Sequence, residues 1–231
     1  MHRSLSTLAV ALASLLGPDA RAQPRPIDLD VVARDGARLR ATYYSPGKPG
    51  PAILLLHQCN MDRRSWTALG AALAANGIHA LAIDYRGYGE SPRVRARGNL
   101  AADVDDALAT LTWQRGVDRD RLAAAGASCG VNNAVQLARR SGRIRALVLV
   151  SGPTTATGLA YLRARPTVAI FAAASSSEQS AISSLREMAA ASRHRATMVR
   201  VIGRPGHGVP LFDADSTLLP AVVDWLTKVL R

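Results

Sequence analysis

Leu122-Ala123-Ala124-Ala125-Gly126-Ala127-Ser128-Cys129-Gly130-Val131 is the stretch on which the reading of this chain turns. A run of small apolar residues, suited to a buried strand, enters a Gly-x-Ser-x-Gly turn. Beyond it Val131, Ala134, Val135 and Ala138 recur at the i, i+3, i+4, i+7 spacing of one helix face. Small residues flank Ser128 because a sharp strand-to-helix turn brings two backbones together while leaving the hydroxyl exposed. The helix N-terminus then places positive potential beneath it. Glycine and serine are also ordinary turn residues, so it is the strand–turn–helix setting that makes Ser128 a candidate nucleophile.

Upstream of this turn, residues 27–33 and 37–44 read as two strands joined by Arg34-Asp35-Gly36, an Asp-Gly hairpin signal. From there apolar β runs at 52–57, 79–84, 121–127, 146–151, 167–173 and 197–202 alternate with helical patterns at 65–75, 100–114, 131–140, 179–192 and 218–230. Such alternation is the mark of βαβ units and a mostly parallel sheet. No linker divides the chain, so residues 23–231 are read as one α/β domain.

With 231 residues, 48% of them hydrophobic and 20% charged, the chain has material for a substantial core, which excludes general disorder. Neither a run of about 20 apolar residues nor a repeat is present, which excludes a membrane-spanning protein, a collagen and a solenoid. Basic residues outnumber acidic ones 29 to 17, and only Lys48 and Lys228 are lysines. Aromatic residues are 4% and the arginines are spread along the chain, so no nucleic-acid partner is expected. Residues 1–22 carry His2 and Arg3, an apolar stretch at 5–16 and Ala20-Arg21-Ala22, the pattern of a cleaved signal peptide. The expectation is an exported protein, periplasmic or secreted, without stable membrane insertion, in a compartment where two cysteines can pair.

Two further motifs, Ile53-Leu54-Leu55-Leu56-His57 and Asp84-Tyr85-Arg86-Gly87-Tyr88-Gly89-Glu90-Ser91, stand beside the serine turn. With them the chain resembles the α/β-hydrolase superfamily, in particular its dienelactone-hydrolase-like and small serine esterase members, over nearly all of residues 23–231. The resemblance implies an eight-stranded, mostly parallel sheet flanked by helices, and a triad in the order serine, acid, histidine. His207, in Gly206-His207-Gly208 after the last strand, is then the expected base. Between Ser128 and His207 the carboxylates are Glu178 and Glu187, and Glu178 follows the strand at 167–173, where the family places its acid. Most relatives carry Asp there, and Asp213 and Asp215 remain alternatives.

By the same resemblance the oxyanion hole is formed by the amide of Cys129 and that of Cys59, with Gln58 as second choice. The two cysteines of the chain would thus stand side by side, within the reach of a disulfide. Only about 15 residues separate the strands at 146–151 and 167–173, so no cap domain is expected and the cleft should be open. Arginines at 60–64 and 86–98 are expected to border it and to favour anionic substrates.

No metal or organic cofactor is implied. The expected activity is hydrolysis of small or polymeric carboxylic esters through Ser128, His207 and Glu178. Peptidase activity with the same triad and a non-catalytic binding protein of the same fold are the alternatives.

Overall fold

Strands whose neighbours cover both faces can be apolar at every position, and this decides the centre of the molecule. The computed structural model describes residues 25–92 and 100–231; the expected leader and Arg93, Arg95 and Arg97 lie outside the described residues. An antiparallel hairpin, β1 (Ile27–Val32) and β2 (Arg38–Tyr44), is followed by β3 (Gly50–Leu56), β4 (His79–Ile83) and β5 (Val117–Ala127). The remaining strands are β6 (Ile144–Val150), β7 (Ala169–Ser175) and β8 (Met198–Ile202). They form one eight-stranded sheet in the order β1-β2-β4-β3-β5-β6-β7-β8, antiparallel through β1, β2 and β4 and parallel from β4 onward.

Helices cover both faces. α2 (Leu100–Thr112), α3 (Cys129–Ser141), α4 (Ala156–Ala164) and α5 (Gln179–Ala190) contribute Val104, Val131, Leu162 and Leu185 to one core layer. α1 (Thr67–Ala75), α6 (Leu211–Ala214) and α7 (Leu218–Val229) contribute Leu73, Leu211 and Val222 to the other. The alanines of β5 are fully buried and alternate between the two layers, Ala124 toward the face that α3 covers and Ala123, Ala125 and Ala127 toward the other.

The expected elements are present with shifted ends. β5 begins at Val117 and β7 runs on to Ser175, whose residue pairs with Ile202, so the loop bearing Glu178 starts later than expected. α4 and α6 were not expected. α4 contains Gly158 and starts with threonines; its first turn is held by Thr155, whose hydroxyl accepts from Gly158 N at 3.3 Å.

Candidate active site

All parallel strands of the sheet point their C-terminal ends to one edge, where the loops after β5, β7 and β8 converge. Ser128 stands between β5 and α3 with φ 53° and ψ −118°, a backbone conformation an L-residue adopts only under constraint. The constraint is visible. Ser128 N donates to Val150 O at 2.8 Å, Val131 N donates to Ser128 O at 3.0 Å, and the flanking glycines leave no room for a side chain. A Cβ on Gly126 would lie 2.1 Å from Gly130 O, and one on Gly130 would lie 2.4 Å from Leu56 O.

His207 Nε2 lies 2.8 Å from Ser128 Oγ, and its Nδ1 lies 2.5 Å from Glu178 Oε1. The second carboxylate oxygen of Glu178 accepts from Ser151 Oγ at 2.7 Å and from Ser175 N at 3.2 Å. Burial pushes the Glu178 carboxyl up, but the hydrogen bonds from His207, Ser151 and Ser175 outweigh it and hold it below the usual carboxylate range. The alternative acids are elsewhere: Asp215 is bound to Thr217 and faces Arg200, and Glu187 pairs with Arg163 on the surface. Asp213 lies in α6.

Cys59 and Cys129 form a disulfide with a Cα–Cα distance of 6.0 Å across a separation of 70 residues. It joins the turn after β3 to the first residue of α3, so the two amides expected to bind an oxyanion sit on residues that are covalently linked. Gln58 enters the site differently from expectation. Its side chain crosses to the histidine loop, where Oε1 accepts from Val209 N at 2.9 Å, and Nε2 donates to Asn60 Oδ1 at 2.8 Å. Gly208, at φ 68°, makes room for it: a Cβ there would lie 2.0 Å from that oxygen.

Residues 51–179, from β3 to the first residue of α5, match the family described as alpha/beta hydrolase fold. The chain belongs to that family. Among solved structures this α/β-hydrolase-fold chain is similar to a dienelactone hydrolase from Anabaena variabilis, at TM-score 0.72 and 19% identity over 90% of this chain and 100% of that one. It is equally similar in fold to an esterase of Pyrococcus furiosus, at TM-score 0.72 and 14% identity over 90% and 93%. An uncharacterized protein of Mycobacterium tuberculosis is 39% identical over 113 residues, 48% of this chain and 40% of the relative. The chain thus spans well under half the length of that relative.

The motifs that carried the family resemblance have local work to do in the α/β-hydrolase fold. His57, fully buried, donates from Nδ1 to Gln58 O at 2.7 Å and accepts at Nε2 from Tyr85 N at 3.1 Å, tying the loop after β3 to the loop after β4. Burial pushes its pKa down, so the ring is held neutral. Asp84, also fully buried, accepts from Arg63 N at 2.7 Å and from its guanidinium at 2.6 Å. Arg63 reaches Glu90 as well, at 2.7 Å, and Arg64 pairs with Glu90.

These ion pairs bear on the expectation of an arginine-bordered cleft at Arg63, Arg64 and Arg86, while Arg93, Arg95 and Arg97 lie outside the described residues. Arg63 and Arg64 are held by carboxylates, and Arg86 is held by Asp103 at 2.6 Å and Asp35 at 2.8 Å. Their charge is already compensated within the protein. Beside the disulfide, Cys59, Tyr85, Tyr88, Leu100 and Asn133, with the paired Arg86 and Asp103, line a cavity of about 220 Å³. Two contributors were missed from sequence, Ser151 and the side chain of Gln58. Ser151 carries a signal: a hydroxyl directly after the apolar run of β6, at the edge where the site lies.

Proposed function

We propose that the protein is an exported serine hydrolase acting on carboxylic esters. The observation that carries the reading is the unbroken line of hydrogen bonds from Ser128 through His207 to Glu178. In this reading His207 Nε2 takes the proton of Ser128 Oγ as the oxygen attacks the acyl carbonyl, and returns it to the leaving alcohol. Glu178 holds the proton on Nδ1 and stabilises the imidazolium without accepting the proton itself. Water, activated by the same histidine, then releases the acid from the acyl-enzyme.

Charge develops on the carbonyl oxygen, and the amides of Cys129 and Cys59 are its proposed donors, each contributing about 3 kcal/mol to lowering the barrier. The cavity beside the disulfide would receive a short acyl chain. A disulfide in the described fold is compatible with export, as is the absence of a helix long and apolar enough to cross a membrane among the described residues. Hydrolysis of short-chain nitrophenyl esters tests the proposal, with Ser128→Ala and Glu178→Ala prepared identically. Activity and fluorophosphonate labelling in the wild type, both lost in Ser128→Ala and activity reduced less in Glu178→Ala, is the expected result. A wild type that neither turns over esters nor takes the label overturns it.

A further inference from the structure

A second cavity lies away from the triad, at the N-terminal ends of β5, β6 and β7. It measures about 520 Å³, in the size range of small-molecule sites, and Arg119, Arg143, Arg145, Arg165, Tyr161 and His194 are among the residues that line it. Asp120 is the one carboxylate in its wall. Among the described residues none of the four arginines is in an ion pair within 4 Å, although Arg145 is near enough to Asp118 to lower its pKa, whereas Arg63, Arg64 and Arg86 at the opposite edge are all ion-paired. An arginine-rich composition accounts for many arginines. It does not by itself place four arginines without an ion pair around one cavity, beside the paired Arg121 and Arg140.

The wall is also held in place. Arg119 donates from Nε to Thr112 O at 2.9 Å, and its guanidinium lies over the Trp113 ring at 4.6 Å from the centroid. Arg143 donates to Arg119 O at 2.9 Å. His194 accepts at Nδ1 from Ala196 N at 3.2 Å, which leaves Nε2 as the donor of the neutral ring. An adjoining cavity of about 450 Å³ shares Arg119 and Arg143 and is also lined by the Arg140–Asp105 ion pair. Guanidinium groups restrained in this way lose little freedom on binding and offer paired donors that match the oxygens of phosphate.

We propose that this cavity is a binding site for a ligand that carries clustered phosphate groups. One arginine would suffice for a single anion of low affinity; four around one hollow, with one acid between them, fit linked or adjacent phosphates. Free oligophosphate and a phosphorylated lipid headgroup present the same chemistry, and binding by either leaves the triad edge open to its substrate.

Calorimetric titration of the folded protein with tripolyphosphate and with orthophosphate, at matched ionic strength, reads the site directly. Tripolyphosphate is expected to bind at least about tenfold more tightly than orthophosphate, and Arg143→Gln/Arg145→Gln to weaken it by about tenfold or more. Arg25→Gln/Arg186→Gln removes the same charge elsewhere and is expected to leave the affinity within about twofold. Ester hydrolysis is expected to be unchanged in the cavity variant, which shows that it folds; Arg165→Gln serves as a second cavity variant. Vesicles of phosphatidylcholine with and without phosphatidic acid separate the two sources of phosphate, since arginine-dependent retention on the acidic vesicles assigns the lipid headgroup. Equal losses in the two double variants, or no binding to tripolyphosphate or to acidic vesicles, overturns the proposal.

Discussion

At the C-terminal edge of the sheet the charged side chains around the triad end on one another. Arg63 sits between Asp84 and Glu90, Arg86 between Asp103 and Asp35, and Glu178 between His207 and two donors from the strands beneath. At the N-terminal edge Arg119, Arg143, Arg145 and Arg165 face a hollow. Among the described residues, Arg204 is the one arginine in a loop at the C-terminal edge without a carboxylate partner. The difference shows how one basic composition serves two ends. A reacting site needs groups fixed in position and stray positive charge removed, while surplus charge gathers where no bond-making geometry has to be preserved.

The comparison breaks first at the serine. Ser128→Ala is expected to lower kcat/KM on nitrophenyl esters by about 10⁴-fold or more while tripolyphosphate binding stays unchanged; a joint loss would mean that the edges are not independent. Next comes the disulfide: Cys59→Ala/Cys129→Ala should cost about 4 kcal/mol in urea unfolding, because the bridge closes a separation of 70 residues in the unfolded chain. Arg63→Met leaves Asp84 buried with its charge unpaired, and a loss of about 3 kcal/mol is expected by the same measurement.

Stability against pH sharpens the comparison, because each edge holds one buried neutral histidine. His57 lies under the loops of the triad edge; His79, at the start of β4, meets Tyr43 Oη at Nδ1 and Lys48 O at Nε2. Burial lowers the pKa of both. The unfolded chain takes up these protons below about pH 6.5 and the folded chain does not. Stability is therefore full above that pH and lost as pH falls toward the lowered folded values. Urea midpoints measured down a pH series should decline from about pH 6.5, and less steeply in His57→Gln. The smallest effect belongs to Arg145→Met, the counterpart of Arg63→Met at the other edge: a change within about 0.5 kcal/mol, since the exposed guanidinium has no carboxylate to abandon.

Much of this was legible from residues 122–131, because a run of small residues, two glycines and a helical period can satisfy few geometries at once. The strand positions followed from apolar runs long enough to be covered on both faces. The ends did not, since β7 continues through Ser175, whose polarity reads as loop until its pairing with Ile202 is seen. Ser128, His207 and Glu178 were named from motif and order, and the structure places both Ser128 and Glu178 within hydrogen-bonding distance of His207. The pairing of Cys59 with Cys129 followed from the family resemblance and is present.

Less legible were contacts made across the sequence by side chains with ordinary local surroundings. Gln58 was considered for its amide, but its side chain meets Val209, 151 residues away. Ser151 looks like a strand terminus until Glu178 is placed against it. The arginines near 60–64 and 86 were read as free because their partners, Asp35, Asp103 and Glu90, come from other loops and α2. A list of charges along a chain says little about which of them cancel.

The bond between Cys59 and Cys129 makes a covalent ring of the chain from the loop after β3 to the start of α3, enclosing α1, β4, α2 and β5. This ring holds trypsin-type sites such as Arg115 and Arg119, both exposed. A single cut at either would open the ring without releasing a fragment, and both halves would stay joined beside the serine. The nicked protein would run as one species on a non-reducing gel and as two after reduction.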